Sequence, residues 1–154
     1  MGIEVGKAVR LGAVLVIAGI AAWAVPHLDV VRTPSIRYSL LWAEGGPSDK
    51  GDYVRVPVQS VLIHRGAPEH LTKRIGCVAG DTLTFRDGRH YCNGEFLDRV
   101  LAKTANGTPL SPWHWDGPIP PGKVYLVGDD PRSVDSRYLG FFDHASAVHE
   151  FGIF

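Results

Sequence analysis

The chain reads as a mostly β domain behind one N-terminal transmembrane helix, on three observations. An uncharged apolar run, residues 11–25, stands alone near the start. Beyond it, short segments alternate apolar and polar residues and carry β-branched side chains, the pattern of strands. The 154 residues include 18 Gly and 11 Pro, which marks many turns and therefore short strands rather than long helices.

The apolar run, LGAVLVIAGIAAWAV, extends through Pro26 and His27 to Leu28. As a helix, residues 11–28 would span about 27 Å, close to the hydrocarbon thickness of a bilayer. Lys7 and Arg10 precede it and Asp29 follows, so the positive-inside bias leaves the N-terminus in the cytoplasm and exports the rest. Trp23 stands where an interfacial aromatic would. The competing reading is a cleaved signal peptide, because the core is short and Ala22-Trp23-Ala24 has the small-x-small form of a cleavage site. In either case the remainder is exported. Residues 1–28 are thus expected to form an anchor and residues 29–154 an exported domain, large enough for one hydrophobic core.

Within that domain, residues 30–42 read as an extended or turning segment, and residues 44–51 as turn chemistry throughout. Residues 52–58 alternate as a strand does. Residues 60–71 are ambiguous, with a short helix around Ala67 to Leu71 as one reading. A strand is expected over 71–78, then a turn at Ala79-Gly80-Asp81. A hairpin follows, with 82–85 and 90–91 as strands around Arg86-Asp87-Gly88-Arg89. Residues 103–122 are irregular and rich in Gly, Pro and Trp. Lys123 to Val127 is a continuous apolar strand ending at Gly128-Asp129, and Phe151-Gly152-Ile153-Phe154 reads as a last strand closing the core. No internal repeat or heptad pattern is present.

Lys+Arg and Asp+Glu number 16 each, so no basic excess marks a nucleic-acid surface. Cys77 and Cys92 flank the expected hairpin, where facing positions can come within disulfide reach. An exported, oxidising location favours a disulfide over two separate buried thiols. Closing a loop of about 15 residues would contribute roughly 3 kcal/mol on the chain-entropy account. Seven histidines are scattered. His64 and His70, like His144 and His149, lack the i, i+4 spacing of a metalloprotease helix, and G-x-S-x-G is absent. Trp113-His114-Trp115 leaves two readings open, a loop dipping into lipid headgroups and a packed aromatic turn.

The chemistry centres on Lys73. A serine hydroxyl is a poor nucleophile until a neighbouring base takes its proton. Lysine serves as that base only when neutral, which at its ordinary pKa holds for about 1 molecule in 2,500 at pH 7, a handicap of about 4.6 kcal/mol. Burial among apolar groups removes much of it. Leu71, Ile75 and Val78 supply such surroundings, and strand alternation turns Arg74 to the opposite face.

Three segments share one pattern: Thr33-Pro34-Ser35-Ile36 just after the apolar run, Lys73-Arg74-Ile75-Gly76-Cys77-Val78-Ala79-Gly80-Asp81, and Gly128-Asp129-Asp130-Pro131-Arg132-Ser133-Val134-Asp135-Ser136-Arg137-Tyr138-Leu139-Gly140. Together they resemble the signal peptidase I family, membrane-anchored proteases with a Ser/Lys dyad, and most closely its TraF-type branch from conjugative plasmid transfer. The resemblance implies a signal-peptidase-like β-barrel or sandwich, with Ser35 as nucleophile and Lys73 as base. Ser133 matches a serine whose hydroxyl orients the lysine amine. Asp135 and Arg137 match a pair holding this loop against the catalytic strand, and in the TraF-type branch the aspartate is also implicated in activity. The Ser35 N–H is the default oxyanion donor, and Thr33 stands where some members place a second. Gly80-Asp81 and Gly128-Asp129 are expected to form turns.

The chain departs from the family pattern in three places. Ile36 replaces the methionine usual in bacterial leader peptidases, Ala79-Gly80-Asp81 stands for Pro-Gly-Asp, and the segment between Ser35 and Lys73 is short. These fit a dedicated processing enzyme. The implied partners are the membrane and an exported peptide or protein precursor, in this branch a pilin propeptide whose new ends some members join into a ring. No nucleic acid, metal or cofactor is implied. The implied location is the bacterial inner membrane, single-pass, with the catalytic domain in the periplasm. A general signal peptidase I and a non-catalytic anchored pilus or secretion subunit are the rival readings.

Overall fold

The computed structural model describes residues 2–63, 66, 68–104 and 106–154, with side chains from residue 9 onward. Helix α1 (Gly2–Ala24) is followed by a 3-10 turn, Val25–His27, and Leu28 already opens the first strand. The apolar run therefore stops being helical sooner than Leu28, at the point where Pro26 withdraws a backbone donor. From Val9 to His27 this segment is long and apolar enough to cross a membrane, and none of it is buried against the domain. A helix in water would cover its apolar face; this one presents apolar side chains all round.

The strands are β1 (Leu28–Val30), β2 (Leu40–Ala43), β3 (Tyr53–Val58), β4 (Glu69–Val78), β5 (Thr82–Arg86), β6 (Arg89–Cys92), β7 (Glu95–Arg99), β8 (Gly117–Pro118), β9 (Lys123–Val127), β10 (Phe142–Asp143) and β11 (Val148–Gly152), with a one-turn helix α2 (Ser136–Leu139) between β9 and β10. Two antiparallel sheets result, one ordered β1-β2-β11-β3-β4-β9-β10 and the other β7-β6-β5-β8. The mostly β fold expected from the sequence is what the chain adopts, including the β5–β6 hairpin. Its turn places Asp87 and Gly88 at positive φ, 51° and 71°, as a tight two-residue hairpin requires.

Strand β4 organises the domain. It pairs with β3 over residues 69–74 and with β9 from Arg74 to Val78, with a register shift between Ile75 and Cys77. Its first half thus has β3 on one side and no strand partner from β9 on the other. Below the shift, Val54, Val56, Ile75, Val124 and Leu126 form a buried cluster. Beyond it, Cys77, Leu83, Cys92, Ile119, Tyr125 and Val127 form a second, joining the two sheets. Cys77 and Cys92 are disulfide-bonded there, their Cα atoms 5.9 Å apart, so β4 is tied covalently to β6.

Two expectations need correction, at residues 67–71 and at the C-terminal strand, and one open reading, at Trp113 to Trp115, is decided. Glu69, His70 and Leu71 lie in β4 rather than in a short helix; Ala67, like His64, lies outside the described residues. Trp113 and Trp115 stack on each other, 5.9 Å apart and 4° from parallel, and pack against the second cluster with Phe141, so this loop is a packed aromatic turn. The last strand sits inside the sheet between β2 and β3, yet Phe151, Ile153 and Phe154 are exposed. Strand alternation turns Glu150 inward instead, and a Cβ at Gly152 would collide with the Tyr38 ring.

Candidate active site

Ser35 lies in the turn joining β1 to β2. Its N–H donates to the Thr33 carbonyl at 2.7 Å, a tight three-residue turn. Its carbonyl accepts from the N–H groups of Asp129 (2.9 Å) and Asp130 (3.4 Å). Ile36, next along, is buried with Leu41 and Tyr53, so the loop is pinned by an apolar side chain below and by backbone hydrogen bonds behind. The approach is close. A Cβ on Gly128 would collide with the Ser133 side chain and come 2.8 Å from the Ser35 carbonyl oxygen.

Asp129 fastens the loop from its other end. One carboxylate oxygen accepts from the Arg37 N–H (2.9 Å) and the Tyr53 hydroxyl (2.6 Å), the other from Arg74 Nε (3.4 Å). Burial alone would raise the Asp129 pKa, but these donors outweigh it and hold the carboxylate below its usual range. Burial and the Asp129 charge together push the Tyr53 phenol up to about 12. Expected only to form a turn, Asp129 joins the nucleophile turn to β3 and β4. Only the Gly-Asp motif itself signalled it.

Lys73 is 2% exposed, on the β4 face shared by Leu71 and Ile75. Its Nζ donates to Ser35 Oγ at 2.9 Å and to the Thr72 carbonyl at 2.9 Å. Both acceptors are uncharged. Burial lowers the amine to about 8, with Arg137 pushing the same way and Asp135 and Asp129 opposing. At that value about one molecule in ten carries the neutral amine at pH 7. The Thr33 hydroxyl lies 3.4 Å from Ser35 Oγ. The N–H of Ser35 is engaged by Thr33, so an oxyanion can use it only after this turn loosens. A cleft of about 830 Å³ opens onto Ser35 and Lys73, with Val31, Leu62, Ile63, Leu71 and Val134 among its apolar walls.

The third motif folds behind the cleft. Asp135 accepts from the Gly128 N–H (2.8 Å) and from Arg137 Nε (2.8 Å) and Nη2 (2.7 Å), and both residues are fully buried. Arg137 also donates to the carbonyls of Arg99, Pro131 and Ser133 and pairs with Asp98 at 2.7 Å. Asp135 makes no hydrogen bond to Ser35 or Lys73. Among the described residues Ser133 Oγ is buried without a hydrogen-bond partner, so the contact with the Lys73 amine expected of it is not formed here, although its side chain abuts Gly128.

One buried group had no signal beyond an acidic residue at an inward strand position. Glu150 accepts from Thr72 Oγ1 at 3.0 Å and lies 3.4 Å from Arg55 Nε. Burial, then the Asp29 charge, raise it to about 7.

Residues 5–152 match the family model described as signal peptidase, peptidase S26, and the chain belongs to that family. A signal peptidase I from Enterococcus faecalis V583 is a similar solved structure, 26% identical, covering 71% of this chain and 99% of that one at a TM-score of 0.40. No curated protein matches the chain. Membership makes this a membrane-associated serine endopeptidase that processes protein precursors.

Proposed function

We propose, from membership of this family, that Ser35 is the nucleophile and Lys73 the base of a TraF-type endopeptidase that matures exported pilin precursors for conjugative transfer. The observation carrying this is the 2.9 Å hydrogen bond between Lys73 Nζ and Ser35 Oγ, made by an amine that burial brings down to about 8. The neutral amine takes the Ser35 proton as Oγ attacks the scissile carbonyl carbon, then gives that proton to the departing amine. The resulting ester is resolved by water deprotonated by the same amine, or, in the ring-closing variant of the reaction, by the substrate's own free amine. Thr33 contributes a donor to the oxyanion. Asp135 and Arg137 hold the loop behind the dyad, and Ser133 stands where the family resemblance puts a hydroxyl that orients the lysine amine.

Residues 1–28 anchor the enzyme with its N-terminus in the cytoplasm, and residues 29–154 work on the periplasmic side of the inner membrane. The breadth of the family match favours a general signal peptidase I as the second reading. Rescue of a strain depleted of its leader peptidase would select that one.

The dyad is tested by co-expression with a pilin precursor. Wild type is expected to process it, whereas Ser35→Ala and Lys73→Ala accumulate uncleaved precursor. Cleavage by both variants would overturn the assignment. The rate is expected to climb with pH through about 8 as the amine loses its proton. At pH 5 about one molecule in a thousand would be competent, so full activity there contradicts a lysine base.

A further inference from the structure

Asp29 and Thr72 are side-chain neighbours on strands that the sheet order keeps apart. In the series β1-β2-β11-β3-β4, three strands lie between β1 and β4, so a flat sheet would separate these two by about 19 Å. Yet Thr72 Oγ1 lies 3.4 Å from Asp29 Oδ2, and Arg55 Nη1 lies 3.6 Å from the same oxygen. The sheet therefore curls until β1 reaches over to β4. Register puts the whole path on one face: Asp29 opposes Leu41, Ala43 opposes Glu150, Glu150 opposes Tyr53, and Arg55 opposes Thr72.

Glu150 stands at the centre of this curl and is 1% exposed. One carboxylate oxygen accepts from Thr72 Oγ1 at 3.0 Å, and the other lies 3.4 Å from Arg55 Nε. Arg55 thus bridges Glu150 and Asp29. The Thr72 hydroxyl faces both carboxylates with a single proton to give. Four strands meet here: β1 through Asp29, β11 through Glu150, β3 through Arg55 and β4 through Thr72. Leu41 and Ala43, on the intervening β2, are buried and apolar.

The dyad depends on the same closure. Ser35 comes five residues after β1 ends at Val30, and Lys73 follows Thr72 on β4. The 2.9 Å contact between Lys73 Nζ and Ser35 Oγ crosses the gap that the cluster crosses one residue earlier. Strand β1 is paired with β2 over three residues, a short ladder that leaves side chains to fix its approach to β4. Asp129 pins the nucleophile turn from beyond Ser35; the cluster pins it from before.

We infer that Glu150 is a positioning residue for the peptidase reaction: with Arg55 and Thr72 it draws β1 over β4 and so sets the distance between nucleophile and base. A misplacement of about 1 Å at such a distance costs roughly 100-fold in rate. The kinetic consequence rests on the Ser35–Lys73 reading; the closure of the sheet does not.

The test compares Glu150→Leu, Glu150→Gln and Thr72→Val with wild type, each as the full chain in detergent. Kinetics are measured on a pilin precursor, and folding by the urea midpoint. The closure is read from the distance between spin labels on cysteines introduced at Arg32 and Pro57, both exposed; Cys77 and Cys92 are bonded to each other and take no label. Glu150→Leu is expected to stay folded, because apolar replacement of a buried ion is often neutral for stability. It should nonetheless lose about tenfold or more in kcat, with KM within about twofold, and widen the label distances. Glu150→Gln still accepts from Thr72 and donates to Asp29, so it should keep kcat within about threefold and the narrow distances of wild type. Thr72→Val leaves the backbone carbonyl that Lys73 uses and should show a smaller fall in kcat with the same widening; it carries the result should Glu150→Leu unfold. Unchanged label distances in the folded variants overturn the inference, as does wild-type kcat in Glu150→Leu. A change in KM alone also overturns it and makes the cluster a substrate contact. If wild type itself leaves the precursor uncleaved, the peptidase reading fails, and the label distances alone uphold or overturn the closure.

Discussion

Lys73 and Arg137 are both buried cations, one on β4 and one on α2, and the protein surrounds them in opposite ways. Arg137 faces two carboxylates, Asp135 and Asp98, and gives its remaining donors to three backbone carbonyls. Burial alone would lower its pKa, but the acidic partners outweigh that and hold it above the usual range. Among the described residues Lys73 has only a hydroxyl and a carbonyl as acceptors, and burial goes largely uncompensated. One charge is a permanent strut, and the other is made easy to lose. The difference lies in the partners rather than the depth of burial, which suits a scaffold in the first case and proton transfer in the second.

The largest effect is expected where the strut is cut. Arg137→Met leaves Asp135 buried without its cation and should destabilise the domain by about 3–5 kcal/mol, read from the urea midpoint of the purified protein in detergent. A loss below about 1 kcal/mol would mean that Asp135 is not relying on that charge.

Lys73→Met should act in the opposite direction. The folded amine titrates near 8 against 10.5 for an ordinary lysine. The cost of burying the cation is therefore whole below pH 8 and fades as pH rises towards 10.5. Removing it should stabilise the fold by about 3 kcal/mol at pH 6, with the gain shrinking steadily at alkaline pH. A stability difference flat from pH 6 to 10 would contradict the lowered pKa.

Thr33→Val is the mildest change. Its hydroxyl starts 3.4 Å from Ser35 Oγ and has to shift to reach an oxyanion, so a roughly ten-fold fall in kcat is expected, less than for a preformed donor. An effect confined to KM would assign Thr33 to substrate binding instead.

The comparison also explains what the sequence could disclose. Apolar neighbours at Leu71 and Ile75, with Arg74 turned away by alternation, are enough to expect a dry amine at Lys73, because strand geometry is local. The helix and the hairpin are legible for the same reason. The engagement of Ser35 N–H by Thr33 is not, since a tight turn and an open one share the same Pro-Ser composition. Asp129 as the hub of Arg37, Tyr53 and Arg74 depends on β3, β4 and the nucleophile turn converging, which no spacing records. The C-terminal aromatics misled for a specific reason: hydrophobicity suggested a core position, while pairing with Trp42 sets Phe151 on the outer face.

Gly128 carries a consequence for anyone redesigning this cleft. With the Ser35 carbonyl and the Ser133 side chain pressed against its Cα, the rear wall has no room even for a methyl group. Variation intended to change which peptides are accepted has to come from the mouth, at Leu62 and Ile63. Libraries that randomise the back of the pocket will mostly return misaligned nucleophiles.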